Sequence, residues 1–178
     1  MKEITIFTPT YNRANLLTRL YQSLKMQTCR EFQWLIVDDG STDDTKNMVE
    51  KFIQDDEIAI KYYYQKNSGK HVAHNLGVKM CDTELFCCVD SDDSLTNDAV
   101  QTVLECWRKK ATDEKTLLSG IVAYRGYNTE KIIGTEFPAG MNEAALKDLY
   151  ANGKKGDTAL VYSCLLYTSP SPRDRSLS

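Results

Sequence analysis

The chain has 178 residues, of which 42% are hydrophobic, enough for one globular domain with a filled core. Its net charge of −3 and its pI near 5.5 argue against nucleic-acid binding. No apolar run approaches a membrane span, no signal-peptide pattern precedes the first strand, and the six cysteines lack CxxC spacing, so we expect a cytoplasmic protein with reduced thiols.

Apolar runs of strand type alternate along the chain with segments of helical periodicity. The predicted strands are residues 4–8, 32–37, 58–64, 85–89 and 117–124. The predicted helices are 12–24 with Asn12 as N-cap, 41–53, 70–80, 96–110 and 142–150. This alternation predicts an α/β fold with a Rossmann-like, doubly wound and mostly parallel sheet flanked by helices.

Polar clusters follow each of the first four predicted strands, at residues 8–12, 38–41, 66–69 and 90–93. The carboxyl ends of parallel strands lie along one edge of such a sheet, and ligands bind at that edge. One polar turn is ordinary, but four turns on the same edge predict a binding site.

The cluster after the fourth strand contains three carboxylates, Asp90, Asp92 and Asp93. Such a cluster repels itself, and its hard oxygen ligands suit Mg²⁺ or Mn²⁺. Asp90 and Asp92 lie two residues apart, so on an extended strand they could converge on one ion. The alternative is a solvated acidic turn that caps the next helix.

The other clusters also have two interpretations. Asp39 could accept a hydrogen bond from a base or a ribose, or it could belong to an ordinary βα turn. Lys70 and His74 lie one turn apart at a helix N-terminus, where they could bind a diphosphate or form a basic solvated face. His71 and His74 could suggest zinc, but no other zinc-like cluster accompanies them.

Six motifs span roughly residues 3–110: Thr8-Pro9-Thr10-Tyr11-Asn12-Arg13, Gln27-Thr28, Val37-Asp38-Asp39-Gly40-Ser41-Thr42-Asp43, Asn67-Ser68-Gly69, His74-Asn75-Leu76-Gly77 and Val89-Asp90-Ser91-Asp92-Asp93. Their combination resembles family 2 glycosyltransferases of the GT-A fold. The resemblance implies metal-dependent transfer of a sugar, with inversion, from a nucleotide-diphosphate donor, commonly a UDP-sugar, to an acceptor hydroxyl. It implies a glycan, lipid-linked or protein acceptor and a role in cell-wall or polysaccharide biosynthesis.

The resemblance also implies the site residues. Those for the nucleotide-sugar would be Thr8, Pro9, Thr10, Tyr11, Asp39, Lys70, His74, Asp90, Ser91 and Asp92, and those for Mn²⁺ or Mg²⁺ would be Asp90, Asp92 and Asp93, in the place of the family's DxD motif. His74 stands where many members have an arginine, and imidazole is mostly neutral at neutral pH. The general base would be a carboxylate well downstream of the DxD motif.

The end of the chain departs from the family. We interpret residues 1–162 as an incomplete GT-A donor-binding domain and residues 163–178, rich in Ser, Pro and Arg, as a disordered or non-native tail. The family's usual base would then be missing, and Asp157 or Glu136 could substitute for it.

Three alternatives remain open. The chain could bind a nucleotide-sugar without transferring it, since the downstream base is missing. A phospho-receiver domain also gathers acids at strand ends, but it places an acidic pair after the first strand, where this chain has Thr8-Pro9-Thr10. Peripheral association with the inner face of the membrane is an alternative to a free cytoplasmic location.

Overall fold

The computed structural model describes residues 2–110, 112–115, 117–151 and 153–164. The strands in this part of the chain are β1 (Ile4–Thr10), β2 (Phe32–Asp38), β3 (Ile60–Tyr64), β4 (Leu85–Cys88), β5 (Gly120–Tyr124) and β6 (Thr158–Ser163). The helices are α1 (Ala14–Lys25), α2 (Thr45–Gln54), α3 (Lys70–Met80), α4 (Ala99–Arg108), α5 (Thr112–Lys115) and α6 (Leu146–Ala151). The predicted tail, residues 163–178, lies outside the described residues from position 165 onward.

The strands form a six-stranded sheet in the order β3-β2-β1-β4-β6-β5. β1 pairs in parallel with β2 and β4, and β2 pairs in parallel with β3. β6, which the sequence did not predict, pairs antiparallel with β4. The sheet is therefore mixed, and its parallel part agrees with the predicted doubly wound arrangement.

β1 and β2 are buried along their whole length, because helices cover both faces of the parallel part of the sheet. On one face α1, α2 and α4 pack against alternate residues of these strands, such as Ile6 and Trp34. On the other face α3 packs against Phe7, Leu35 and Phe86. Each large side chain that is fully buried in this way contributes about 1.5–3 kcal/mol through the hydrophobic effect.

β1 continues through Pro9, where the sequence predicted that it would end. The Phe7 carbonyl accepts from the Val89 amide on the β4 side, whereas the Thr10 carbonyl accepts from the Asp39 amide on the β2 side. Pro9 therefore faces the β4 side, where strand pairing has already ended at Phe7. A missing N–H is tolerated at that position because no strand needs it.

Asn12 is not the N-cap of α1, which corrects the prediction. Arg13 occupies the N-cap position without a capping hydrogen bond from its side chain, and Asn12 has a positive φ of 52°. Asparagine tolerates this left-handed conformation, which lets its side chain turn toward the loop after β2 instead. α4 likewise begins at Ala99, so residues 90–93 do not cap it.

Residues Val122–Leu160 form a second compact unit, and its boundaries fall within β5 and β6. Within this unit the rings of Tyr124 and Phe137 stack with centroids 4.3 Å apart. Lys154 is buried there, with its Nζ donating to the carbonyls of Thr135 and Lys155. Among the described residues, no helix has the length and apolar character required to cross a bilayer.

Candidate active site

An open cleft of about 490 Å³ lies at the carboxyl ends of the parallel strands. It is lined by Pro9, Thr10, Tyr11, Arg13, Asp39, Asn67, Gly69, Lys70, Asp90, Ser91 and Asp92. The chain proceeds outward from β1 through β2 to β3 and then returns to the other side of β1 as β4. The loops after β1 and β4 therefore diverge at this cleft, which makes it the topological switch point where doubly wound sheets bind ligands.

The cleft collects most of the side chains that the sequence predicted for the site. Thr8, His74 and Asp93 are the predicted residues that do not line it. Arg13, Asn67 and Gly69 line it although no role was predicted for them. All three lie inside the motifs at the strand ends, so position after a strand was the signal that could have identified them.

Asp39 is buried at the edge of the cleft, 5% exposed, and holds the loop after β3. Its carboxylate accepts hydrogen bonds from the Gln65 side chain at 2.7 Å and from the amides of Ser68 and Gly69, both at 2.8 Å. Burial raises the pKa of this carboxyl, but the three hydrogen bonds outweigh burial and hold the pKa below its usual range. Asp39 is therefore ionised at neutral pH and fixes the start of α3.

The neighbouring Asp38, which the sequence analysis did not single out, is fully buried below the cleft. It accepts a hydrogen bond from the Ser41 amide at 2.8 Å and one from the Tyr62 hydroxyl at 2.7 Å. Burial and this hydrogen bond raise the pKa of Tyr62. Asp38 therefore supports the turn after β2 from beneath.

Thr8 and Thr10 are both buried on β1 but differ in their hydrogen bonding. The Thr8 hydroxyl accepts from the indole N–H of Trp34 at 2.9 Å, so it serves the core rather than the cleft. The Thr10 hydroxyl has no hydrogen-bond partner among the described residues, although Thr10 lines the cleft and is 3% exposed. A buried hydroxyl without a partner is unfavourable, and a ligand in the cleft could supply the partner.

The loops after β1 and β2 are joined by reciprocal hydrogen bonds between Asn12 and Asp43. The Asn12 side-chain oxygen accepts from the amide of Thr42 at 2.7 Å and from that of Asp43 at 3.3 Å. In return, the Asp43 carboxylate accepts from the amide of Ala14 at 3.2 Å, and it also accepts from the Thr45 amide of its own loop at 3.0 Å. These contacts fix Arg13, which lies between Asn12 and the start of α1.

Two acidic residues after β4 are paired with cations at the cleft. Lys70 Nζ lies 2.7 Å from Asp90 Oδ1, and an Arg13 guanidinium nitrogen lies 2.9 Å from Asp92 Oδ2. The hydrogen bond with Asp90 raises the pKa of Lys70, so this lysine is charged at neutral pH. The Asp93 amide donates to the Asp90 carbonyl in a turn.

The donor set fits a divalent cation only if the ligand contributes to it. The described residues contain no group of three His, Cys, Asp or Glu side chains placed to hold a metal ion. Asp90 and Asp92 supply carboxylate oxygens at the cleft, and Mg²⁺ commonly takes one or two carboxylates together with phosphate oxygens and water. Coordination by Asp90, Asp92 and Asp93 together stays a prediction.

His74, on α3, packs against two aromatic rings of the sheet. Its ring meets those of Phe7 and Phe86 edge to face, with centroids 5.5 Å and 5.6 Å away. Burial, and then the charge of Lys70, lower the pKa of His74, so the imidazole is neutral at neutral pH. This position suits packing better than binding an anion.

The suggested substitutes for the general base lie in the second compact unit. The carboxylate of Asp157 is paired with Arg125 at 2.6 Å, and Glu136 is exposed. The role of either residue as a base stays a prediction.

A mixed α/β sheet with a polar cleft at its switch point is the architecture of a doubly wound α/β protein that binds a ligand at the carboxyl ends of its strands. The Glycosyl transferase family 2 model matches residues 5–162, and the chain therefore belongs to this family. The predicted family and the predicted GT-A type of α/β fold are both confirmed. Membership also excludes the phospho-receiver alternative.

One curated relative is the teichoic acid poly(glycerol phosphate) polymerase of Staphylococcus epidermidis, 33% identical over 106 residues. This match covers 59% of the present chain and 15% of the relative. Matches to two glycosyltransferases of Rickettsia species cover 17% and 20% of those proteins. The chain thus spans about a fifth or less of these curated relatives.

Two solved structures share the fold. S. aureus TarS 1–349 in complex with UDP-GlcNAc has a TM-score of 0.67 at 24% identity, covering 93% of this chain and 46% of that one. The mannosyltransferase PcManGT from Pyrobaculum calidifontis, in complex with GDP-Man and Mn²⁺, has a TM-score of 0.57 at 23% identity, covering 62% of this chain and 33% of that one.

Proposed function

We propose that residues 1–162 are the donor-binding domain of a metal-dependent glycosyltransferase that uses a nucleotide-diphosphate sugar, with a UDP-sugar as the preferred donor. The observation that carries the proposal is the switch-point cleft, which combines two cations, the two carboxylates paired with them, and a buried hydroxyl that has no partner among the described residues. Family membership and the nucleotide-sugar complexes of TarS and PcManGT support it.

The nucleoside would bind near the ends of β1 and β2. Tyr11 is 47% exposed and lines the cleft, so its ring is available to stack on a base. The Thr10 hydroxyl would hydrogen-bond to the nucleoside. A carboxylate has about four lone-pair sites, and Asp39 uses three in holding the loop, which leaves one for an N–H of the base.

The diphosphate would bind where α3 begins and β4 ends. Lys70 and Ser91 line this part of the cleft, together with Asp90 and Asp92. A divalent ion held by these two carboxylates would act as a Lewis acid that stabilises the departing diphosphate. The protein's own contribution is to orient the phosphates and to neutralise the charge that develops on them.

We infer that the whole protein transfers the sugar with inversion to the hydroxyl of a cell-envelope glycan or lipid-linked acceptor. Family membership supports the transfer of a sugar, and the teichoic acid named for the Staphylococcus epidermidis relative supports an acceptor of the cell envelope. Cytoplasmic location, at the inner face of the membrane or free, stays a prediction.

A second candidate function is donor binding without transfer. The carboxylates among the described residues that line the cleft are Asp90 and Asp92, which are ion-paired, and Asp39, which holds the loop after β3 with three hydrogen bonds, so none of them is placed as a general base. Turnover separates the two candidates. Release of labelled sugar from UDP-GlcNAc, or its transfer, by this chain alone would eliminate the binding-only function.

Isothermal titration with UDP, UMP, UDP-GlcNAc and GDP-mannose, each with and without Mn²⁺, tests donor binding. We expect UDP to bind more tightly than UMP, and we expect Mn²⁺ to strengthen only the diphosphates, because the second phosphate is what meets Lys70 and the ion. Equal affinity for UMP and UDP, or no response to Mn²⁺, would contradict the proposed diphosphate site.

A further inference from the structure

We propose that Arg13 and Lys70 exchange partners when the donor binds: without ligand they neutralise Asp92 and Asp90, and with ligand they hold the diphosphate while a divalent ion takes the carboxylates. The inference rests on the proposed function and adds Arg13 to it. It also predicts that the metal ion and the diphosphate bind as a coupled pair.

The geometry gives each carboxylate its own cation. Arg13 precedes α1 and reaches Asp92, 79 residues away in sequence, whereas Lys70 begins α3 and reaches Asp90. Both acids lie on the loop that follows β4, and the two cations reach this loop from two different elements. Among the described residues that line the cleft, Arg13 and Lys70 are the basic ones.

These ion pairs can open easily because they are solvated. The side chains of Arg13 and Asp92 are 46% and 52% exposed, and those of Lys70 and Asp90 are 64% and 40% exposed. Exposed pairs of this kind add little stability. Asp39 differs, because its carboxylate is buried and already accepts from three donors, so it keeps these partners.

Charge balance decides what must replace the pairs. In the ligand-free cleft the Arg13–Asp92 pair and the Lys70–Asp90 pair each sum to zero, and the buried Asp39 carboxylate keeps its own donors whether or not a ligand is bound. A divalent ion on the carboxylates leaves Arg13 and Lys70 unpaired, with two positive charges at the cleft. The diphosphate of a nucleotide-sugar carries two negative charges and restores the balance. Metal ion alone and diphosphate alone each leave charge uncompensated, so each strengthens the binding of the other.

Other nearby basic groups are less suited to the role. His74 is neutral and packs between Phe7 and Phe86. Arg19, on the same helix that follows Arg13, contacts the Ser94 hydroxyl at 3.4 Å and does not line the cleft. Arg19 is therefore a matched control, because it is an arginine of the same helical segment without a carboxylate partner at the site.

The test compares Arg13→Gln with Arg19→Gln by calorimetry, first with Mn²⁺ alone and then with UDP at saturating Mn²⁺. We expect Arg13→Gln to bind Mn²⁺ alone roughly two- to fivefold more tightly, since Asp92 is freed. We expect the same variant to bind UDP about tenfold more weakly, since a charged donor to the phosphates is lost. Arg19→Gln should match the unaltered chain in both titrations.

The opposite signs of the two effects separate this role from simple damage to the site. A variant that weakens Mn²⁺ and UDP together, or leaves UDP affinity unchanged, would overturn the exchange while leaving the proposed function standing. An unaltered chain that binds neither UDP nor a UDP-sugar would overturn the proposed function, and the exchange with it. Far-ultraviolet circular dichroism of both variants verifies that each one is folded.

Discussion

Thr8 and Thr10 offer a matched pair of substitutions on one strand. Valine has nearly the shape of threonine but lacks the hydroxyl. Thr10→Val should raise the free energy of unfolding of the ligand-free protein by up to about 1 kcal/mol, because it removes a buried hydroxyl that has no partner among the described residues. Thr8→Val should lower it by about 1–3 kcal/mol, because the buried indole N–H of Trp34 loses its acceptor.

The two variants should rank in the opposite order for nucleotide affinity. If the Thr10 hydroxyl donates to or accepts from the nucleoside, its loss should weaken UDP binding by about three- to tenfold, the equivalent of one net hydrogen bond. Thr8→Val should leave the affinity of the folded protein nearly unchanged, because Thr8 does not line the cleft.

Urea unfolding followed by tryptophan fluorescence measures the stabilities, since Trp34 and Trp107 are both buried. Calorimetry with UDP measures the affinities at a temperature where both variants are folded. Equal destabilisation by the two substitutions would show that the Thr10 hydroxyl has a partner, such as an ordered water. Unchanged UDP affinity in Thr10→Val would remove Thr10 from the proposed nucleoside site.

Three further substitutions test other parts of the structure. Asp92→Asn should abolish the effect of Mn²⁺ on UDP binding. Because the side chain is exposed, it should change the free energy of unfolding by less than about 0.5 kcal/mol. Asp98→Asn is the matched control, and equal Mn²⁺ responses in the two variants would refute the metal site. Hydrogen bonds hold the pKa of Asp39 below its usual range, so its contribution to stability should be complete above the unfolded-state pKa of about 4 and be lost as the pH falls through the folded-state value. The stability of Asp39→Asn should therefore fall less steeply on acid titration than that of the unaltered chain, and identical pH profiles would contradict this role. Gly77→Ala should lower the free energy of unfolding by about 1–3 kcal/mol despite the better helix propensity of alanine, because the added Cβ would collide with the buried Phe7 ring. Phe7→Leu should recover part of that loss in the double mutant, and simple additivity of the two effects would count against the clash.

The order of strands and helices could be predicted because the parallel part of the sheet has strong local periodicity. α3 was predicted at its observed bounds, since Lys70–Met80 begins after Gly69 and its apolar residues repeat at helical spacing. β6 was missed because Thr158–Ser163 is short and its partner β4 is far away in sequence. Nothing local to a strand indicates that a later segment will insert beside it.

The site could be located from the strand ends, but its hydrogen bonds and ion pairs could not. Residues i and i+2 of a strand share a face, so alternation cannot distinguish Thr8 from Thr10; only the end of the strand places Thr10 at the cleft. The pairing of Arg13 with Asp92 requires β1 and β4 to be neighbours, which is a property of the whole sheet.

The reciprocal bonds between Asn12 and Asp43 have a consequence for how this sequence can diverge. The Asn12 side chain accepts from two amides of the loop after β2, and the Asp43 carboxylate accepts from the Ala14 amide after β1 and from the Thr45 amide in its own loop, so losing either side chain removes hydrogen bonds that join the two loops. A change at one position alone should therefore loosen Arg13 and the turn beside the cleft. We therefore expect descendants of this chain to keep Asn12 and Asp43 together or to replace them together, so that the two positions are inherited as one unit.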